Sequence, residues 1–225
     1  MAARAAVVKN VTADKIAHAA ATTKRVSSTS RMPRAQRREQ IVGAAATVFV
    51  GGGFASASME DVARAAGVTR LIVYRIFESK EALYLAVLSS VIDDLAKVFD
   101  HDDSVGVASE SSRPREPIAA LLLGAARRQP DGFRLLWRHA QNEPEFRWLA
   151  AQFKAAATQY ARTLLGTSIS DPTMLKWAAE SLVSHLYESI CLWLDRGRVS
   201  RDTEFLTMLT EGVRAMVNEW ARVSV

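Results

Sequence analysis

Apolar side chains recur at three- and four-residue intervals along most of this 225-residue chain, and no stretch keeps the two-residue alternation of a half-buried strand. That spacing puts apolar groups on one face of a helix, and it predicts an all-α fold. Ile41, Ala44, Ala45, Val48 and Phe49 share such a face in a predicted helix over 34–52, ended by Gly51, Gly52 and Gly53. Leu83, Val87, Leu88, Val91, Ile92, Leu95, Val98 and Phe99 extend another over 80–99. Further helices are predicted at 118–128, 131–141, 144–165, 172–196 and 202–222, with Pro144 in the first turn of its helix and Asp171-Pro172 and Gly197 bounding the fourth. With 11 Gly and 6 Pro, the chain is poor in turn formers, as long helices require.

Two much shorter helices interrupt this pattern. Ser58 is placed to cap a helix over 59–66, exchanging hydrogen bonds with Asp61, while Met59, Val62 and Ala63 point inward. Gly67 closes that helix and Val68 plugs the turn. Thr69 is the expected cap of a helix over 70–77 that buries Val73 and Phe77. Two brief helices joined by a tight turn have the layout of a helix-turn-helix, whose second helix must present its first residues to a major groove about 12 Å wide. The outward side chains suit that task. Thr69 offers a hydroxyl, Arg70 can grip a guanine edge bidentately, and Tyr74 and Arg75 can hold phosphates. Lys80 opens the following helix, where its ammonium and the helix N-terminus both attract a phosphate. Leu71 and Ile72 donate nothing, so they either touch thymine methyl groups or pack.

Residues 34–92 resemble the DNA-binding domain of the tetracycline-repressor (TetR) family of bacterial regulators. The resemblance is carried by Arg38, Ile41, Ala44-Ala45 and Phe49, then Gly53-Phe54, Ser58 to Ala63, Ala66 to Arg70, Tyr74 to Phe77 and Ser79 to Leu83. It implies a three-helix DNA-binding head over 34–80 (helix-turn-helix 58–77), a connecting helix over 81–99 and a helical effector-binding and dimerisation domain over 118–225. It also implies a homodimer joined by helices 172–196 and 202–222, and repression relieved by a small ligand. The Gly197–Asp202 stretch resembles the turn often found between those two helices. DNA-binding positions carried over are Arg38, Ser58, Thr69, Arg70, Leu71, Ile72, Tyr74, Arg75 and Lys80. Ala57 departs from the family's usual threonine and removes one phosphate contact.

Charge is distributed unevenly. The net charge is +5, yet residues 1–39 hold nine cations against Asp14 and Glu39. A basic arm over 1–33 on a nearly neutral body suits either a polyanion partner or a solubilising tail. Residues 100–117, with their Asp, Ser and Pro, read as a loop between two modules. No secretory signal and no run of ~18 apolar residues is visible, so a cytoplasmic protein with no membrane partner is expected. The one cysteine, Cys191, excludes an internal disulfide.

For the effector domain, Trp137, Phe146, Phe153, Tyr160, Trp177, His185 and Cys191 are the candidate lining of a pocket for an apolar or aromatic effector. Aromatics at helical spacing also build cores. No catalytic site, cofactor or metal site is expected, because phosphate loops, nucleophile elbows and metal-ligand clusters are missing from the sequence. The competing reading is a helical small-molecule- or protein-binding module without sequence-specific DNA reading, motivated by Leu71, Ile72 and Ala57.

Overall fold

The computed structural model describes residues 32–104 and 117–223, and among them the regular structure is entirely helical. The basic arm up to Arg31 and most of the expected loop (105–116) lie outside the described residues. The chain divides into two compact units, one ending at Ser90 and one beginning at Val91.

In the first unit, α1 spans Arg34–Ser56, α2 Met59–Ala65 and α3 Arg70–Ile76. Helix α4, Lys80–Ser104, begins in this unit and runs past the expected end at 99. Helix α1 buries Ile41, Val42, Ala45, Ala46 and Phe49, while Ala44 and Val48 are only half-buried, so its inward stripe is rotated slightly from the expected one. Its break falls at Gly53, whose φ of 76° and ψ of 168° are open to glycine almost alone. A last turn beyond it buries Phe54. The Phe49 and Phe54 rings lie 6.1 Å apart and meet the fully buried Tyr84 of α4 edge-on at 4.9 and 5.2 Å. Gly67 supplies the other left-handed residue, φ 62°, at the turn between α2 and α3.

In the second unit, α5 spans Ile118–Arg128, α7 Arg147–Leu165, α8 Pro172–Arg196 and α9 Asp202–Val223. The helix expected over 131–141 is composite. Helix α6, Pro130–Arg134, passes into a π-helical turn over Leu135–His139 and then a 3-10 turn over Ala140–Asn142. Pro144 lies before α7 and not in its first turn, because the chain first bends at Glu143, whose backbone is extended. Asp171 caps α8 by accepting from the Met174 amide at 2.7 Å.

The α8–α9 turn is pinned from several sides. Asp202 accepts a forked pair of bonds from Arg127 of α5 at 2.7 and 3.2 Å and a third from the Trp193 indole at 2.7 Å. The Arg127 guanidinium holds the Asp202 carboxyl below the usual range, and the Trp193 bond adds to this. Trp193 also stacks on Phe205, centroids 4.6 Å apart, and a Cβ at Gly197 would fall 2.2 Å from the Trp193 ring.

Two glycines of α1 should respond oppositely to alanine. Gly53→Ala forces a side chain into glycine-only backbone space and is expected to cost about 1–3 kcal/mol. Gly43→Ala adds a methyl group to a helix interior with nothing within 4 Å, and is expected to gain roughly 0.5–1 kcal/mol. Chemical denaturation of the two variants checks both signs.

Candidate nucleic-acid interface

Helices α2 and α3 carry the candidate interface, and their local sequence explains their ends. Ser58 caps α2: its hydroxyl accepts from the Asp61 amide at 3.1 Å and donates to the Asp61 carboxylate at 2.5 Å. The same carboxylate accepts from the Ser58 amide at 3.2 Å. The Ser58 hydroxyl bond, with the Ser58 amide and Arg64 adding to it, holds Asp61 below its usual carboxylate range. The box's contribution is therefore present at neutral pH and is lost as pH falls through that lowered value.

Helix α3 is anchored on one edge and open on the other. Val73 is wholly buried and Phe77 nearly so, whereas Thr69, Arg70, Leu71, Tyr74 and Arg75 are exposed and Ile72 is half-buried. Leu71, at 67% exposure, is a large aliphatic group held out in water beside two arginines. Arg70 lies over the Tyr74 ring, 5.2 Å from its centroid, and its guanidinium reaches the Tyr74 hydroxyl at 3.4 Å. Arg38 of α1 stands exposed, its guanidinium 5.3 Å from the Phe77 centroid.

Two expected roles change. Thr69 precedes α3 but makes no side-chain cap bond; its carbonyl starts the helix by accepting from Ile72 and Val73. Lys80 was expected to hold a phosphate. Its ammonium instead donates to the carbonyls of Phe54, Ala57 and Ala55 at 2.8, 3.0 and 3.4 Å and lies 4.4 Å from the Phe54 centroid. Three acceptors match the three protons of an ammonium. Lys80 thus satisfies the carbonyls at the end of α1. A contact the sequence did not signal is Gln40, whose side-chain amide donates to the Ala66 carbonyl at 2.8 Å and ties α1 to the turn after α2. A polar residue on an exposed face carries no mark of such a partner.

The expected effector residues do not converge on one place. Trp137 and Phe153 line a cavity of about 340 Å³ edged by Arg138, Arg147, Lys154 and Glu188. Tyr160 lines a second, apolar cavity of about 290 Å³ between α5, α7, α8 and α9. Phe146 and Cys191 are buried in the core and line neither; burial pushes the Cys191 thiol up to about 12. Trp177 is half exposed against Trp220, centroids 4.9 Å apart, and His185 is exposed.

Around the first cavity, Arg138 binds Glu188 at 2.6 Å and Asp195 at 2.8 Å, and Arg134 binds Asp195 at 2.7 Å and Asp131 at 2.8 Å. Among the described residues no three His, Cys, Asp or Glu side chains gather as a metal site, and no helix is long and apolar enough to cross a membrane.

A capped short helix, a left-handed glycine turn and a second short helix with an exposed polar edge together define a helix-turn-helix protein. Comparison with known proteins agrees. Residues 41–87 match the model of the bacterial regulatory proteins of the tetR family. The transcriptional activator FasR of Mycolicibacterium smegmatis is 28% identical over 174 residues, 75% of this chain and 77% of that one. The transcriptional regulator BetI of Rhizobium meliloti is 31% identical over 131 residues, 57% of each chain. A TetR-like regulator from Rhodococcus sp. RHA1 has the same fold, with a TM-score of 0.60 at 19% identity over 85% of this chain and 96% of that one. Residues 41–87 are thus a DNA-binding segment of the tetR type, and over most of its length the chain is similar to DNA-binding transcriptional regulators.

The separate employment of Lys80 and Arg70 gives a test. Lys80→Met strands the part-buried carbonyls of Phe54 and Ala57 and is expected to lower stability by about 1–3 kcal/mol. Arg70→Ala, on the open edge, should stay within about 0.5 kcal/mol. Denaturation midpoints compare them.

Proposed function

We propose that this protein is a ligand-relieved repressor that binds a pseudo-palindromic operator as a homodimer in the bacterial cytoplasm. The observation that carries it is the split face of α3, with Val73 and Phe77 holding it down and Arg70, Leu71, Tyr74 and Arg75 left to solvent. In this reading Arg70 reads a base edge and Tyr74, Arg75 and Arg38 grip phosphates, while Thr69, with no capping duty, donates its hydroxyl to DNA. Leu71 and Ile72 meet thymine methyl groups. Ser58 and Lys80 serve by holding α2 and the end of α1 in place. The competing reading, a module that has lost DNA recognition, has the exposed Leu71 in its favour, but it leaves the free arginine edge without a purpose.

Dimerisation through α8 and α9 is supported by the apolar surface they leave uncovered. Of the 22 residues of α9 only Leu209 is buried, although Phe205, Leu206, Val213, Met216, Val217 and Trp220 share its stripe. Trp177 and Met174 of α8 are half exposed beside it. A second copy would cover this surface and set two α3 helices in successive major grooves roughly 34–36 Å apart. An effector that prefers a dimer with wrongly spaced heads would release DNA in proportion to that preference. Repression then follows where the operator overlaps a promoter. FasR is named an activator, and reporter transcription that rises when this chain binds would place it with that relative.

Gel shifts on operator fragments selected from random DNA test the reading. The affinity should fall with salt at a slope of about −0.9 per phosphate neutralised. Arg70→Ala should cost about 1–3 kcal/mol of binding and relax one base position. Unchanged fragment selection by Arg70→Ala would remove the DNA-reading role. Trp177→Glu should convert a sedimenting dimer to monomer and flatten the salt slope.

A further inference from the structure

Exposed arginines elsewhere in this protein are held by acids. Arg64, Arg201, Arg214 and Arg222 each pair with a carboxylate three residues away, at 3.1, 2.5, 2.9 and 2.8 Å. Arg70 is held by a ring instead. Its guanidinium carbon lies 5.2 Å from the Tyr74 centroid, within cation–π range, and one of its nitrogens reaches the Tyr74 hydroxyl at 3.4 Å. The sequence sets the two residues four apart on one face of α3, a helix that contains no acid. Helical side chains lean toward the N-terminus, so the Tyr74 ring leans over the first turn, where Arg70 stands.

The kind of partner decides what the guanidinium can still do. A carboxylate occupies the donor fork and cancels its charge, so a base edge would have to displace it. A phenol is neutral, and its hydroxyl engages one of five N–H groups, which leaves the planar fork protons for two further acceptors. The acid that Arg70 feels, Glu60 of α2, acts through space and forms no ion pair with it. Tyr74 is also the steadier of the two side chains. It turns about only two torsions, and at 41% exposure more than half of it is covered.

Resting on the DNA-reading role given to α3 above, we propose that Tyr74 is a positioning residue for Arg70, its ring setting the guanidinium before DNA arrives, and that the base it is set for is guanine. Ordering a long, flexible side chain during binding weakens association, and a side chain ordered beforehand avoids that loss. A fork fixed in this way also admits one pattern of acceptors. Guanine presents two, N7 and O6, to the major groove, whereas adenine presents N7 beside the N6 donor and is refused.

Binding of the full chain to its selected operator tests this, beside a second operator whose guanine, at the position relaxed by Arg70→Ala, is replaced by 7-deazaguanine, which lacks the N7 acceptor. Wild type should bind the modified operator about tenfold more weakly, a difference of about 1.4 kcal/mol. Tyr74→Phe keeps the ring and should keep that discrimination. Tyr74→Leu should bind the guanine operator about fivefold more weakly than Tyr74→Phe does, and should lose most of the discrimination. Comparing Leu with Phe cancels any phosphate contact of the hydroxyl. In an Arg70→Ala background the same exchange should change affinity by less than about twofold. Without DNA, NMR relaxation of the Arg70 Nε–H group should show it ordered in wild type and Tyr74→Phe and mobile in Tyr74→Leu. A ring that merely supports α3 would cost the same affinity on both operators and in both backgrounds, and that result overturns the positioning role alone. Equal binding of the two operators by wild type, or a mobile Arg70 in the free wild type, overturns it too. An operator selection unchanged by Arg70→Ala removes base reading by Arg70 and the positioning role together.

Discussion

Seven residues of helix are too few to stand alone. Isolated helices shorter than about 12–15 residues are marginal in water, so α3 exists because Val73 and Phe77 are driven out of water against the rest of its unit. That one burial decides everything presented on the other side. It fixes the rotation of α3, and the rotation leaves Arg70, Leu71, Tyr74 and Arg75 outward. The neighbouring devices all serve the same end: the Ser58–Asp61 box starts α2, Gly67 turns the chain, and Gln40 ties the turn to α1.

Much of this was legible in the sequence because it depends on local rules. Capping chemistry at Ser58, a left-handed glycine at 67 and an i, i+4 buried pair need only a few neighbouring residues to be read. The bounds of α5 and α8 were equally plain, marked by proline, Asp171 and Gly197. What could not be read depends on groups distant in the chain. Lys80 looks like a phosphate ligand until the carbonyls of Phe54, Ala55 and Ala57, more than twenty positions earlier, come within reach of its ammonium. Thr69 has the right chemistry for a cap, and the geometry leaves its hydroxyl out of that role.

The effector unit was harder, for a related reason. Aromatic residues at helical spacing announce burial without saying whether they border a void. Phe146 and Cys191 ended in solid core, Trp177 at the surface, and Trp137 and Tyr160 beside two different cavities.

The π-helical turn over Leu135–His139 has a geometric consequence for the Trp137–Arg138 pair. Two consecutive residues of that turn address the same partner: the Trp137 indole and the Arg138 guanidinium both reach Glu188, at 3.2 and 2.6 Å, while Arg138 goes on to Asp195. The same turn therefore ties α8 twice over, through the Glu188 and Asp195 carboxylates and through the Trp137 ring stacked 4.8 Å from Tyr187, so a residue excised from it would put the ring contact and the ion pairs out of register together.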